Sequence, residues 1–380
     1  MSDVGRLSDD ERYAAGLASL GAGPRRLRRF LDGLTPLEAW EALARGRHPA
    51  DPEGTYRDEA RSELLDTVSA ACERSRTSVI VLGQPGYPAG LISDHEAPAV
   101  LFAIGDPTVC DGVPRVSVVG TRSATHYGLG IASELGRGLA DAGVVVVSGL
   151  ARGIDTAAHS GALAAQGAPV FGVLGTAPDA LLPRSQATLL RAVAERGVVV
   201  SELPPGSLGA PAWWFVVRNR VMAALAHVVV VVVECHVRGG ALHTVKAASE
   251  RGIAVTAVPG SVRSAASAGT NALLVDGASP IRDVDDVITT LELAIAGRPE
   301  ISRPHPRRTS SRSHQSSEPS RAPNPVAARV LRALDHDPAH LDTVVRRCGL
   351  SLGEVALALE QLAVSGLAAS EGGWWSRPRR

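Results

Sequence analysis

The feature that most constrains the fold is a series of short, valine-rich segments between about residues 79 and 295. Six of them have the length of a β-strand and are apolar at nearly every position rather than at alternate positions. This pattern is typical of parallel strands that are covered on both faces, because neither face of such a strand meets water. The predicted strands are Val116–Val119, Val144–Val147, Val170–Leu174, Val198–Ser201, Val228–Glu234 and Ala254–Ala257.

Segments with helical character separate these strands. They are Tyr127–Ala142, Ile154–Gln166, Gln186–Glu195, Arg218–Ala226 and Gly240–Glu250. Repeated strand–helix–strand units join parallel strands and place helices on both faces of the sheet. The sequence therefore predicts an α/β fold with a doubly wound, mostly parallel sheet over residues 76–296.

The flanking regions have a different character. Residues 1–75 are predicted to form a small helical module, in which Leu20-Gly-Ala-Gly-Pro24 resembles the turn of a helix-hairpin-helix unit. Glycine amides in such a turn can face a DNA phosphate, and a packing role is at least as consistent with the pattern. Residues 297–325 are rich in Pro, Ser and Arg and lack apolar anchors, so we predict a disordered linker there.

Residues 326–380 are predicted to form three short helices followed by a small β-wing, as in a winged-helix module. Ser351 and Glu354 fit a capping box at the start of the third helix. That helix, Leu352–Val364, contains no Lys or Arg. This composition favours a protein-interaction or regulatory role over sequence-specific readout of duplex DNA, which remains an alternative.

Charge and cysteine content narrow the function classes. The chain of 380 residues has 39 Lys and Arg against 39 Asp and Glu, and Lys246 is the only lysine, so any anion site must be built from arginine. The four cysteines are scattered and predict free buried thiols rather than a metal site or disulfides. No apolar run approaches the ~18 residues that span a bilayer, and the N-terminus lacks a signal-peptide pattern, so we expect a cytoplasmic protein without membrane contact.

Glycines and arginines recur where the predicted strands lead into helices. Because the carboxyl ends of parallel strands meet at one edge, and helix N-termini attract anions, we expect these corners to form one phosphate-binding groove. Charges spread over several loops favour a polyanion over a mononucleotide. No metal, cofactor or nucleophile is required. The candidate residues are Gly120, Thr121, Arg122, Ser148, Gly149, Arg152, Gly153, Arg218, Asn219, Arg220, Arg238, Gly239, Gly240 and Lys246.

Other residues near these corners have more than one interpretation. Trp213 and Trp214 either stack on bases or pack beneath a loop. Asp155 and His159 are four residues apart and are expected to pair on one helix face, which favours a structural role over general-base chemistry. A dinucleotide cofactor is disfavoured, because the second strand ends in Val147-Ser148 without the acidic residue that binds a ribose.

Several motifs, taken in order, resemble the DprA/Smf family of DNA-processing proteins over about Val79 to Val287. They are Gly120-Thr-Arg122, Ser148-Gly-Leu-Ala-Arg-Gly-Ile-Asp-Thr-Ala-Ala-His159, Gly172-Val-Leu-Gly175, Ser201-Glu-Leu-Pro-Pro-Gly206, Arg218-Asn-Arg220, Val258-Pro-Gly260 and Gly269-Thr-Asn-Ala-Leu-Leu-Val-Asp-Gly-Ala278.

The resemblance implies a Rossmann-like core that binds single-stranded DNA without strict sequence preference. It also implies a homodimer that protects incoming strands and loads the RecA recombinase in natural transformation or related recombination. The strand-binding residues of the family map onto Gly120-Thr-Arg122 and Arg218-Asn-Arg220. The chain departs from the family pattern at Phe215-Val-Val217, where the family has Phe-Pro, and at Arg238-Gly-Gly-Ala241, where it has Ser-Gly-Ser/Thr.

An enzyme is the alternative. LOG-type nucleoside-monophosphate phosphoribohydrolases use a similar glycine-rich phosphate cradle, with a Pro-Gly-Gly-x-Gly-Thr-x-x-Glu segment that supplies a catalytic carboxylate. The corresponding stretch here is Arg238-Gly-Gly-Ala-Leu-His-Thr244, and no Glu follows at the required distance. We therefore predict a binding protein rather than an enzyme.

Overall fold

A computed structural model describes residues 7–207, 211–231, 234–296, 325–334, 339–371 and 374–377. The chain forms two compact units, Met1–Arg307 and Arg308–Arg380. Apart from Pro325, the linker predicted at 297–325 lies outside the described residues.

A mainly parallel sheet organises the first unit. Its strands lie in the order β1-β2-β6-β5-β4-β3-β7-β8-β9. Strand β2 pairs antiparallel with β1 and β6, and the other pairs are parallel. This confirms the predicted doubly wound sheet. The strands are β1 (Ser78–Val81), β2 (Val100–Gly105), β3 (Arg115–Val119), β4 (Val145–Ser148), β5 (Val170–Val173), β6 (Val198–Ser201), β7 (Val228–Val231), β8 (Ala254–Ala257) and β9 (Ser279–Pro280).

The central strands bury both faces, which explains their unbroken valine content. In β4, Val146 belongs to one apolar cluster, and Val145 and Val147 belong to the cluster on the opposite face. Strand β3 divides in the same way, with Val118 in the first cluster and Val119 in the second. Alternate side chains of a strand point to opposite faces, so two dry faces require apolar residues at successive positions.

Helices cover the sheet. Contact between α6 and α7 is close, because a Cβ added at Gly136 would collide with the Ala158 carbonyl and one at Gly161 with the Ser133 carbonyl. The helices are α5 (Ala89–Ile92), α6 (His126–Asp141), α7 (Ile154–Ala164), α8 (Arg184–Arg196), α9 (Trp213–Leu225), α10 (Ala241–Ser249), α11 (Ala268–Val275) and α12 (Val284–Ile295).

The start of α9 differs from the sequence prediction. The helix was expected to begin at Arg218, but it begins at Trp213, two residues after Pro211. Proline lacks a backbone N–H and is tolerated at helix starts, so Pro211 marks this boundary. Arg218, Asn219 and Arg220 therefore lie within the helix rather than at its first turn.

The N-terminal helices pack in the same unit as the sheet. Capping boxes at Ser8 with Glu11 and at Thr35 with Glu38 start two of them. Their apolar cluster includes Phe30 and extends to Phe102 of β2. The helices are α1 (Asp9–Ser19), α2 (Pro24–Phe30), α3 (Pro36–Ala44) and α4 (Ser62–Ser75).

The second unit has the winged-helix architecture predicted from the sequence. Its small sheet has the order β10-β12-β11, and the predicted capping box of Ser351 and Glu354 begins its third helix. The exposed face of that helix carries Glu354, Leu357, Glu360 and Gln361. The elements are α13 (Pro325–Ala333), β10 (Ala339–His340), α14 (Leu341–Cys348), α15 (Leu352–Val364), β11 (Ala369–Glu371) and β12 (Trp374–Ser376).

Within the part of the chain that the structure describes, no helix combines the length and apolar character needed to cross a membrane.

Candidate nucleic-acid interface

A pocket of about 510 Å³ opens at the carboxyl ends of β3 and β7. These strands are neighbours in the sheet although β4, β5 and β6 lie between them in the chain. The sheet changes winding direction here, which is where open α/β sheets bind ligands. The pocket is lined by Val119, Gly120, Thr121, Arg122, Ala151, Asp155, Ala212, Phe215, Val216, Arg218, Asn219, Met222, Cys235, Gly239, Gly240, Ala241, His243 and Thr244.

The loop after β3 is held from two sides. A Cβ at Gly120 would lie 2.5 Å from the Ile154 side chain, so only glycine allows α7 to approach this closely. On the other side, the Thr121 amide donates to the Glu234 carbonyl at 2.9 Å. The amide and hydroxyl of Thr125 both donate to the Glu234 carboxylate. Glu234 therefore fixes the shape of the loop that carries Arg122.

Sequence reasoning missed this role of Glu234, which it assigned to the end of a strand. The residue is buried in the loop that follows β7. A carboxylate directly after a run of valines was the available signal, because a buried charge needs hydrogen-bond partners.

The loop after β4 supports the pocket from behind. None of the candidate residues predicted there lines the pocket; they are Ser148, Gly149, Arg152 and Gly153. The Ser148 hydroxyl donates to the Val118 carbonyl at 2.7 Å and ties β4 to β3. Gly153 has φ +82°, and a Cβ there would collide with the Thr121 carbonyl, so both its conformation and its surroundings require glycine. Arg152 is exposed and is not among the described residues that line the pocket.

Arg122 lies at the pocket with its side chain exposed. Its Cζ atom lies 5.0 Å from the centre of the Phe215 ring, within the range of a cation–π contact. The ring orients the guanidinium from one side and does not use its N–H groups. Since no residue that the structure describes accepts a hydrogen bond from this guanidinium, its donors are available for a phosphate.

Arg218 has a different environment from the one expected. It is buried, and its Nη1 donates to the carbonyl oxygens of Gly149 at 2.6 Å and Val173 at 2.5 Å. Burial lowers the pKa of its guanidinium and raises the pKa of the Asp155 carboxyl nearby. A Cβ at Gly149 would collide with the same guanidinium. Arg218 braces the loop after β4 and forms part of the pocket wall.

Arg220 does not join Arg218 in the pocket. Residues two apart on a helix point about 200° away from each other, so the two arginines lie on opposite sides of α9. The Nη2 of Arg220 lies 2.5 Å from Glu202 Oε1, and its Nη1 donates to the Glu96 carbonyl. The expectation that both arginines serve one groove therefore requires correction.

The loop before α10 reaches the pocket through two glycines. Gly239 and Gly240 line it, and the Asn219 amide donates to the Gly240 carbonyl at 3.4 Å. Arg238 and Lys246 are exposed and do not line the pocket; Lys246 Nζ lies 3.9 Å from Glu250 Oε1. Of the fourteen candidate residues, the pocket unites Gly120, Thr121, Arg122, Arg218, Asn219, Gly239 and Gly240.

Two titratable groups near the pocket, Cys235 and His159, are buried, whereas His243 lines the pocket with an exposed side chain. Burial raises the pKa of the Cys235 thiol to about 11 and lowers the pKa of His159 to about 4. His159 Nε2 lies 3.3 Å from the Phe171 carbonyl, and its Nδ1 has no partner within the described residues, so the expected pair with Asp155 does not form. All four cysteines are free and buried, as predicted.

Trp213 and Trp214 stack on each other at the start of α9, with ring centroids 4.6 Å apart and planes inclined by 22°. Trp213 is 47% exposed. The sequence leaves open whether these rings stack on bases or pack beneath a loop, and the structure places Trp213 at the surface.

Family models match two parts of the chain. Residues 78–292 match the model of DNA recombination-mediator protein A, and residues 314–373 match the DprA winged helix domain. The Protein Smf of Synechocystis is 32% identical over 309 residues, which cover 76% of this chain and 77% of the relative. A DprA protein of Mycobacterium tuberculosis is 44% identical over 193 residues, and the chain spans about half (49%) of that relative's length.

Solved structures agree with this assignment. The crystal structure of DprA from Streptococcus pneumoniae aligns with a TM-score of 0.62 and 28% identity, over 74% of this chain and 98% of that one. DprA from Helicobacter pylori aligns with a TM-score of 0.51 and 27% identity, over 57% of this chain and 97% of that one. Its structure is described in terms of its single-stranded DNA binding mode. The chain therefore belongs to the DprA/Smf family of DNA-processing proteins.

Proposed function

We propose that this chain binds single-stranded DNA at the pocket between β3 and β7, and that it does so without strict sequence preference. The observation that carries the proposal is the exposed guanidinium of Arg122, held over Phe215 at the pocket. The DNA-binding mode described for the Helicobacter pylori relative supports the same ligand class.

The pocket offers a phosphate two kinds of hydrogen-bond donor. Arg122 supplies a planar guanidinium, which binds phosphate through two parallel hydrogen bonds. The N-terminal end of α10 also lines the pocket through Gly240 and Ala241, and helix N-termini favour anions. These donors recognise the backbone that all strands share, so sequence preference is expected to be weak.

The test is binding of fluorescein-labelled oligo(dT) by anisotropy over a range of salt concentrations. We expect Arg122→Ala to weaken binding about tenfold at low salt, since a charge-assisted hydrogen bond is lost. The slope of log affinity against log salt should fall by about 0.7, which corresponds to one lost phosphate contact.

Arg152→Ala is the matched control, because Arg152 is exposed on the neighbouring loop but does not line the pocket. It should bind almost as the unmodified chain does. Equal losses in both variants would show that binding depends on general surface charge, and no loss in Arg122→Ala would reject the pocket.

We further propose that the pocket binds without catalysing hydrolysis. Cys235 is not a ready nucleophile there, because burial raises the pKa of its thiol to about 11 and keeps it protonated at neutral pH. Incubation with AMP separates this proposal from the phosphoribohydrolase alternative. Release of adenine would support the enzyme.

The family further supports a cytoplasmic homodimer that hands its strand to the RecA recombinase in transformation or related recombination. Light scattering should then give twice the chain mass of 39.4 kDa. RecA filaments should assemble faster on single strands that carry the unmodified chain than on single strands incubated with the Arg122→Ala variant.

A further inference from the structure

A second cleft lies on the other side of α9, between that helix and the N-terminal helix α2. Its volume is about 960 Å³, larger than that of the pocket. Its lining includes Arg25, Arg26, Arg28, Arg29, Trp213 and Arg220. Two of the motifs described above reach this cleft, because the end of the Leu20-Gly-Ala-Gly-Pro24 turn and Arg220 of Arg218-Asn-Arg220 line it.

Positive side chains outnumber negative ones along this cleft, where five arginines face the carboxylates of Asp32 and Glu96. Two of the arginines are already committed, since Arg26 lies 3.4 Å from Asp51 and Arg220 lies 2.5 Å from Glu202. The three on the remaining surface of α2 are Arg25, Arg28 and Arg29.

These three differ in how they are held. The guanidinium of Arg28 donates to the His95 carbonyl at 2.7 Å, a neutral acceptor, and forms no ion pair with a carboxylate of the described residues. Arg29 is exposed. Arg25 lies 2.9 Å from Glu96, whose side chain is 22% exposed, but the Arg25 side chain is itself 91% exposed, and ion pairs at the surface contribute little. Glu96 also keeps a second partner in Arg251 at 3.2 Å.

The first turn of α9 connects the pocket to the cleft. Ala212 lines the pocket and the next residue, Trp213, lines the cleft. The exposed Trp213 ring, backed by Trp214, therefore stands where a chain leaving the pocket would enter the cleft. Aromatic rings of this kind stack on unpaired bases of any sequence.

We propose that a single strand held in the pocket continues over the ring of Trp213 into the cleft, where Arg25 and Arg29 contact its phosphates. This extended path rests on the proposed function of the pocket. The ligand is an unpaired strand rather than a duplex, because the contact with Trp213 needs a base face, and neighbouring base pairs cover these faces within a duplex.

The experiment compares two lengths of labelled oligo(dT) on the full chain. A strand of about 6 nucleotides should occupy the pocket alone, and one of about 20 should span both regions. The variants are Arg25→Ala with Arg29→Ala, and Trp213→Ala. The matched control is Arg45→Ala with Arg57→Ala, two exposed arginines of the same N-terminal module that do not line the cleft.

We expect the Arg25/Arg29 variant to bind the long strand about tenfold more weakly, with the salt slope reduced by about 1.4 for two lost phosphate contacts. The short strand should bind as before. Trp213→Ala should weaken the long strand by about tenfold, Trp213→Phe should restore most of the loss, and quenching of tryptophan fluorescence by the long strand should decrease in both.

The outcomes separate the two proposals. Normal binding of the long strand by the Arg25/Arg29 variant, with a loss in Arg122→Ala, overturns the cleft and keeps the pocket. Equal losses for both lengths, equal losses in the control, or tighter binding of a duplex of the same length also overturn the cleft. If the unmodified chain binds neither strand, the function proposed for the pocket is contradicted, and the cleft proposal, which rests on it, is overturned as well.

Discussion

The pocket and the cleft lie on opposite sides of one helix, and they use arginine in opposite ways. In the pocket wall, Arg218 is buried and bonded to two backbone carbonyls. In the cleft, Arg25 and Arg29 are exposed on the surface of α2. The same residue type is therefore a structural brace in one place and an available cation in the other, because burial and neighbours decide its role.

The pocket and the cleft also differ in how their side chains are held. Glycine backbone, Glu234 and Arg218 position the loops of the pocket before any ligand arrives. Long exposed side chains supply the charge of the cleft, and each loses rotamer freedom when it binds a phosphate. We therefore expect the pocket to contribute more affinity per contact than the cleft.

The largest expected effect is on stability, from Arg218→Leu. The substitution removes two hydrogen bonds to buried carbonyls and leaves Asp155 without the nearby positive charge, so the free energy of unfolding should fall by about 3 kcal/mol. Urea denaturation followed by circular dichroism measures this. A loss no larger than that of an exposed arginine would show that Arg218 is not a brace.

The next effect concerns pH and a buried residue of α7, the helix whose Asp155 lines the pocket. The pKa of His159 in the folded chain is about 4, below the ordinary value of 6.5 that applies after unfolding. The unfolded chain therefore binds the proton first, and stability is lost as pH falls below about 6.5 toward 4. We expect a loss of about 2 kcal/mol between pH 7.5 and pH 5 from this residue.

His159→Gln is the comparison that isolates this contribution, because it removes the titrating imidazole. Burial raises the pKa of Asp155, which favours the folded state on acidification, and this opposite contribution is present in both proteins. The unmodified chain should therefore lose more stability than the variant over the same range. Parallel pH curves for the two proteins would contradict the assignment.

The smallest expected effect on stability comes from Arg29→Ala in the cleft. Substitutions of exposed residues usually change the free energy of unfolding by less than about 0.5 kcal/mol. The same urea titration should therefore place this variant close to the unmodified chain, while its long-strand affinity falls. Marked destabilisation would mean that Arg29 braces α2, and the contrast with Arg218 would then disappear.

Local pattern was sufficient for most of the fold. The valine-rich strands from β3 to β8 and the winged helix follow from periodicity and spacing, because burial on both faces leaves a direct signature in the residue types. The antiparallel strands β1 and β2 were not predicted. They lie at one edge of the sheet, and their pairing depends on a partner strand, β6, that is distant in the chain.

The sequence by itself determined which corners of the sheet come together at the pocket, since Gly120-Thr-Arg122 and Gly239-Gly240 follow strands whose ends must meet at one edge. Only the tertiary structure decided which arginines are available there. Arg218 and Arg220 are two residues apart in one motif, yet one lies against carbonyls of β4 and β5 and the other against Glu202. Helix geometry sends such neighbours in opposite directions, and what each then meets depends on segments that are distant in the chain.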